Sequence, residues 1–455
     1  MTDELLTRAE RLKKGKALRH ETPRESLATL QDNERDPVAI LAESDPSRVQ
    51  ELLPVRYARM MESPFTFLRG AAAVMAFDLA GEPKPGIPVQ ACGDCHVMNF
   101  GAFLTPEDNI LFDINDFDET LPGVDFTVDL KRLAASAAVA ALASKASKKT
   151  AHSLAASAVE AYRKHMLRLA ALSPLEIWHS SIQLETEIEH IKDRTLRKQL
   201  AAIVTRARGM PDADDNFPHL ADSKDKIKDK PPLIYHLDEG LDAAHNLNAK
   251  AAFAAYRQRL APERAVLFDR YELKDLAFKV VGVGSVGTFC TVGLFTSGDN
   301  EPLFLQVKEA QASVLERLAP ELAYKAHQGE RVVEGQRMLQ AASDIFLGWT
   351  EDVDSGRQFY VRQLKNRRLG SVGELVEEDA LHDYVRICGR TLARAHARTG
   401  DPAMIAGYAG KSGALEDAIA TFAMAYADRT VADHARLVAA KTEAGIKPGI
   451  EKQAA

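Results

Sequence analysis

The sequence predicts an α+β protein, a mainly helical body joined to one strand-rich segment. Three observations carry this expectation. Helix-period patterning runs from Thr127 to about Arg208 and returns over residues 371–455. Between these stretches the texture changes at Tyr271, and ELKDLAFKVVGVGSVGTFCTVGLF, PLFLQVKEA and RQFYVRQLK read as strands rich in Val, Phe and Leu. With 455 residues, 46% hydrophobic and 27% charged, the chain can fill a real core, which excludes a mainly disordered protein.

The elements follow in order. Residues 1–50 are polar and charged and read as an N-terminal arm. Residues 51–265 form the helical part, beginning with a helical stretch centred on Phe67 to Leu79 that the breaker GEPKPG ends. IPVQACGD then reads as a strand running into a loop, CHVMNFGAF as the loop's continuation, and ILFDINDFDE as a second strand whose end is crowded with carboxylates. Helices are expected in TVDLKRLAASAAVAALAS, AHSLAASAVEAYRKHMLRLA and TEIEHIKDRTLRKQLAAIVTRAR, and again from Ala251 to Leu260. Residues 209–232 are the most loop-like part of the chain and suit a domain boundary or an insertion. Residues 266–370 form the strand-rich segment, with GERVVEGQRMLQAA as a helix inside it, and residues 371–455 return to helices.

Charge and cysteine usage narrow the function classes. A net charge of −7 runs against a protein that mainly grips a nucleic-acid backbone. Four scattered cysteines do not make a disulfide framework and suit a reducing compartment. The N-terminus has no apolar signal-peptide core, and the charge-free run at 280–298 carries five glycines and five Ser or Thr, a poor membrane helix. The expectation is a soluble cytoplasmic protein with no membrane partner.

Two constellations carry chemistry. In the first, Gly282, Gly284 and Gly287 have the G-x-G-x-x-G spacing, with Ser285 between them. A dinucleotide fingerprint would lead straight into a helix, whereas FCTVGLF is another strand and PLFLQVKEA a third that carries Lys308. A glycine hairpin followed by a strand lysine is an arrangement that covers nucleotide phosphates. Because Lys308 sits in an apolar run, it needs a counter-charge. Glu334 on the following helix is the expected partner, with Glu316 next. In the second, ACGDCHVMNFGAF and LFDINDFDE gather Asp94, His96, Asn99, Asp113, Asp116, Asp118 and Glu119. Carboxylates and an amide at strand ends can hold a hard divalent cation, and an Asp five residues before the Asn can stand by an incoming hydroxyl. Cys92, Cys95 and His96 spell C-x-x-C-H, but haem attachment needs export and a zinc site needs a second ligand pair, so two buried, unligated cysteines are expected.

These motifs resemble those of a bacterial family of uncharacterised proteins, DUF2252. VRYARMMESPFTFLRGAA, CGDCHVMNFGAF, FDINDFDETLPGVDFTVDLKRLAAS, VVGVGSVGTFCTVGLF, PLFLQVKEA and ARAHARTGD carry the resemblance, which spans about residues 45 to 440. More distantly, GDCHVMNF is similar to the catalytic loop of the aminoglycoside-phosphotransferase and protein-kinase-like enzymes. That likeness implies Asp94 as base, Asn99 as a magnesium ligand, and Asp116, or else Asp118, as the second metal-binding Asp. It also implies Asp129 as a structural Asp on the next helix. Gly282, Gly284, Ser285 and Gly287 become the phosphate-covering hairpin, with Lys308 contacting phosphates and Glu334 as its catalytic partner. Since the loop at 93–99 precedes the hairpin here, the resemblance implies a circularly permuted, two-lobed kinase-like fold with a strand-rich small lobe and a mainly helical large lobe.

The function so implied is ATP- and Mg²⁺-dependent phosphoryl transfer to a hydroxyl acceptor, on a small molecule or a protein. Nucleotidyl transfer of AMP uses the same parts. A catalytically silent nucleotide-binding scaffold and a metal-dependent hydrolase are the other classes, and the hydrolase would leave the glycines and Lys308 unexplained.

Overall fold

The computed structural model describes residues 5–448, apart from residues 33, 106, 209–219, 223–225, 232, 237–248, 281, 283, 285, 365–368 and 370–379. The chain is α+β and 55% helical, with a curled antiparallel sheet. Helices Thr127–Ala143, Lys148–Leu169, Leu381–Thr399 and Ala414–Glu443 form the centre of the larger core. Alanine fills their mutual faces, with Ala134, Ala138, Ala155, Ala158, Ala393 and Ala423 fully buried, so the backbones approach closely. At one such approach Gly389 is required, because a Cβ there would stand 2.2 Å from the Ala158 carbonyl oxygen.

Four short strands sit against this bundle. β1 (Pro88–Ala91) pairs antiparallel with β4 (Leu121–Asp125), and β2 (Phe100–Leu104) pairs antiparallel with β3 (Ile110–Ile114). The sequence anticipates β1 and β3, but CHVMNFGAF is more than loop. It makes a 3₁₀ turn, Val97–Asn99, and then β2, whose five residues are all buried. The long helical stretch expected around Phe67 to Leu79 is two helices, Pro64–Gly70 and Ala72–Leu79, broken at Ala71. Ser63 caps the first of them, accepting from the Thr66 backbone N–H in a capping box.

The strand-rich segment makes one six-stranded sheet, in the order β5 (Ile234–Tyr235), β6 (Tyr271–Lys279), β7 (Cys290–Ser297), β8 (Pro302–Glu309), β10 (Gln358–Gln363) and β9 (Gly348–Glu351). Every described pairing in it is antiparallel. β6 and β7 are the two arms of the glycine hairpin, and β8 is central, as the run LFLQVK with buried residues 303–308 requires. The expected helix between β8 and β10 spans Gln328–Leu339, and that before β6 spans Ala249–Arg259. Phe253, Tyr256, Phe268 and Phe295 pack the latter against the sheet as a second core. The arm is tied down: Arg35 bonds Asp78 and Asp433 together, each at 2.7 Å. Among the described residues no helix is long and apolar enough to cross a membrane.

Candidate functional site

The acidic loop is built on β1. After Ala91 the chain turns through Gly93 at φ +90°, where a Cβ would meet the Glu119 carbonyl oxygen at 2.3 Å, so both conformation and space demand glycine. Asp129, fully buried in the first turn of helix Thr127–Ala143, accepts hydrogen bonds from the backbone N–H of Cys92 at 2.8 Å and of Gly93 at 3.0 Å. Nε2 of His396 stands 3.1 Å from the same carboxylate, and its Nδ1 is 2.9 Å from the Tyr162 hydroxyl. One buried carboxylate thus fastens the loop to two core helices and fixes where Asp94 projects.

Asp94 is held in turn. Its Oδ1 accepts from Arg132 Nη2 at 2.6 Å and Nε at 3.0 Å, and Oδ2 lies 3.7 Å from His96 Nε2. Burial first, and then the guanidiniums of Arg132 and Arg69, outweigh Asp94 and push the His96 imidazole down to about 4. The ring is therefore neutral near pH 7, and its Nδ1 accepts from the Met98 N–H at 3.2 Å. Asn99 donates through Nδ2 to the Asp94 carbonyl at 2.7 Å, so its Oδ1 is the side-chain atom that can accept. The Asn115 N–H donates to the Asn99 carbonyl at 2.9 Å, and this contact, with the pairing of Phe100 and Ile114, brings the Asn99 strand end beside Asp116.

The Asp116–Glu119 turn meets the large sheet. Lys308, 3% exposed, forms an ion pair with Asp118, and the Tyr360 hydroxyl donates to Asp118 Oδ1 at 2.8 Å. Burial works against both charges, yet the Lys308 ammonium brings the Asp118 carboxyl down to about 2, while Asp118, Tyr360 and Asp116 hold the ammonium well above its ordinary range. Burial and then Asp118 raise Asp116. This corrects the expected lysine partner. Glu334 lies one helical turn from Arg337 and bonds it at 2.9 Å, and Glu316 is on a 3₁₀ turn at the cavity wall. The counter-charge comes from the turn between β3 and β4, whose Asp118 meets both Lys308 and Tyr360, its partner across the ladder. Of the two candidate metal aspartates, Asp118 is engaged by Lys308 and Tyr360, whereas one Asp116 oxygen accepts from the Asp118 N–H at 3.2 Å.

A cavity of about 690 Å³ is lined by Asp94, Asn99, Asp116, Asp118, Gly282 and Gly284, among others. Lys308 reaches it through Asp118. The glycine hairpin turns at Gly282 (φ +70°) and Gly287 (φ +87°), and a Cβ on Gly284 would stand 3.3 Å from the Arg69 carbonyl oxygen. Residues 48–70 brace this hairpin: the Val49 N–H donates to Gly287 O at 2.8 Å, Arg48 to Val286 O at 2.6 Å, and Arg59 to Gly282 O. Ser285 lies outside the described residues.

Asn99 and Asp116 stand at neighbouring strand ends, where their side-chain oxygens could hold a hard cation. A different trio, Cys92, Cys95 and Asp129, is the group of Cys, His and carboxylate atoms that falls within 4.8 Å among the described residues. Asp129 is already engaged with two amides and His396, and burial raises both thiols. All four cysteines are free and buried, and of this trio it is Asp129 that anchors the loop, through the Cys92 and Gly93 amides. Sequence reasoning missed Arg132, although its place three residues after Asp129 puts the two on one helix face. It also missed Arg48 and Tyr360, for which no local signal exists.

No curated protein and no solved structure gives a match to the chain. The family model described as "Uncharacterized protein conserved in bacteria (DUF2252)" matches residues 48–440. On that match, which covers most of its length, the chain belongs to the DUF2252 family.

Proposed function

We propose that the chain is an ATP- and Mg²⁺-dependent phosphotransferase of permuted, two-lobed kinase-like build, acting on a hydroxyl acceptor. The observation that carries this reading is that the glycine hairpin, the Asp94–Asn99 loop and the Asp116 turn, far apart in sequence, line one cavity. Mg²⁺·ATP, when bound, supplies the transferable phosphoryl group. Asn99 Oδ1 and Asp116 would hold the ion, and the hairpin backbone would face the phosphates. Asp94 would orient the acceptor hydroxyl through Oδ2 while Arg132 keeps Oδ1 in place, an alignment role more than that of a strong base. Lys308 acts as a positioning residue, holding Asp118 and so the turn that carries Asp116.

One observation favours the silent-scaffold reading as the alternative: two Arg132 N–H groups neutralise Asp94. Nucleotidyl transfer remains a variant of the same parts. Calorimetry with AMP-PNP, with and without Mg²⁺, followed by a search for phosphate or AMP transferred to protein or metabolite extract, separates these readings. Mg²⁺-dependent binding with transfer supports the proposal, binding without transfer supports the scaffold, and no nucleotide binding refutes both.

A further inference from the structure

The second face of the large sheet has its own cover. Ala221, Ile227 and Ile234, in and just after the stretch that the sequence marks as loop-like, pack on Ala277, Val292 and Phe304. The cover ends in β5, the edge strand, which pairs with β6 just before the glycine hairpin. Ile234 faces Lys279, Tyr235 faces Phe278, and the Val280 N–H donates to Leu233 O at 2.8 Å. β5 thus braces the root of the hairpin on the side away from β7.

One side chain fastens this cover. His236, directly after β5, has Nδ1 2.8 Å from Asp229 Oδ1 and Nε2 3.0 Å from Asp275 Oδ2. A carboxylate only accepts, so a ring bonded to one at each nitrogen carries two protons and a positive charge. Asp275 Oδ2 also accepts from the Ile227 N–H at 2.6 Å, and Asp229 Oδ1 from the His236 N–H at 2.9 Å. The register of β6 shifts between Leu273 and Asp275, a bulge that turns Asp275 to the face of Ala277, under the cover. The other charged side chains on the segment and on β6 are the cations Lys226, Lys228, Lys230, Lys274 and Lys279, with Asp222, which accepts from the Lys226 N–H, and Glu272, which Lys274 pairs.

We propose that His236, held as an imidazolium between Asp229 and Asp275, is a pH-sensitive pin that locks β5 onto β6 and so steadies the root of the glycine hairpin. Its side chain is 34% exposed, so solvent protons reach it. Removing one turns a ring nitrogen into an acceptor opposite an acceptor, and one arm of the pin opens. Burial opposes the charge, but the bonds to Asp275 and Asp229 outweigh it and raise the imidazole above its ordinary 6.5. The pin is therefore fully set below 6.5 and is lost as pH rises through the raised value.

Hydrogen exchange of the full chain, read by mass spectrometry at about pH 5.5 and about pH 9 and corrected for intrinsic rate, tests this. In wild type the amides of residues 226–231, of β5 and of Val280 should lose about fivefold or more of their protection at the higher pH, while those of helix Lys148–Leu169 keep theirs. His236→Gln, which cannot carry the charge, should be unprotected there at both values, and His236→Arg, which stays charged, should regain part of the protection at the higher one. Equal wild-type protection at both values, or His236→Gln with the wild-type pH dependence, would overturn the proposal. Should His236→Gln fail to fold, Asp229→Asn decides. It leaves Asp275 as the one carboxylate at the ring, so protection should be lost at a lower pH than in wild type, and an unshifted midpoint would overturn the pin. No nucleotide enters the measurement, so failure of the transferase reading leaves this result standing.

Discussion

Replacing Lys308 with Met removes the cation that ties the large sheet to the acidic turn. A partly exposed pair would contribute little to folding, but here the Lys308 side chain is 4% exposed and that of Asp118 23%. The ammonium holds the Asp118 carboxyl at about 2, against its ordinary 3.8. At roughly 1.4 kcal/mol per pH unit this amounts to about 2 kcal/mol. Stranding one partner of a buried pair costs about 3–5 kcal/mol in general. The Tyr360 hydroxyl still donates to Asp118 in the variant, so the expected loss is about 2–4 kcal/mol at pH 7. The folded carboxyl is depressed, so this contribution is present above pH 3.8 and is lost as pH falls towards 2. Urea unfolding of wild type, Lys308→Met, Asp118→Asn and the double variant measures it. The double variant should lose less than Lys308→Met alone, because a neutral amide needs no ammonium. A Lys308→Met protein that unfolds at the wild-type midpoint, or a double variant whose loss is the sum of the two, would refute the reasoning.

Further outcomes follow from the same geometry. Gly93→Ala must relieve both a left-handed backbone and a 2.3 Å approach to the Glu119 carbonyl. It should destabilise the fold by about 2 kcal/mol or more and weaken nucleotide binding, and a calorimetric melt identical to wild type would count against the loop as described. Glu119 is pushed up to about 7 by burial, partly offset by the Val314 N–H. Since its folded pKa is raised, stability present below about pH 4.5 should decline by at most about 3 kcal/mol as pH rises through 7. Glu119→Gln should flatten that slope, and an unchanged slope would remove the assignment. Replacing Asp129 with Ala strands the Cys92 and Gly93 amides, each buried donor costing about 1–3 kcal/mol, so the variant should melt well below wild type.

Much of the architecture was legible in the residues themselves. Runs rich in Val, Phe and Leu, interrupted by glycines, marked β6, β7 and β8 and the hairpin between the first two, and helical periodicity marked the bundle. β2 and β4 were not legible, because five-residue strands next to catalytic-type polar residues show little alternation: FGAFL is buried on both faces, and LPGVD carries Pro and Gly. The acidic constellation and the glycines were both visible as chemistry. Their partners were not, since Asp94 meets Arg132, and Lys308 meets Asp118, through tertiary packing. A glutamate on the next helix is the natural guess for a strand lysine, and Glu334 turns instead to Arg337 on its own helix. Arg48 lies in a segment that reads as a polar arm, and only the brace against Val286 shows that it belongs to the cavity.

The central claim is that this cavity binds Mg²⁺·nucleotide through Asn99 and Asp116 and aligns an acceptor through Asp94. Calorimetry of AMP-PNP with Mg²⁺ against wild type, Asn99→Ala, Asp116→Ala and Asp94→Asn tests it most directly. The account predicts Mg²⁺-dependent binding in wild type, at least about tenfold weaker binding in Asn99→Ala and Asp116→Ala, and nearly unchanged binding in Asp94→Asn, whose carboxylate acts on the acceptor. Equal binding by wild type, Asn99→Ala and Asp116→Ala, or no nucleotide binding by wild type, would contradict it.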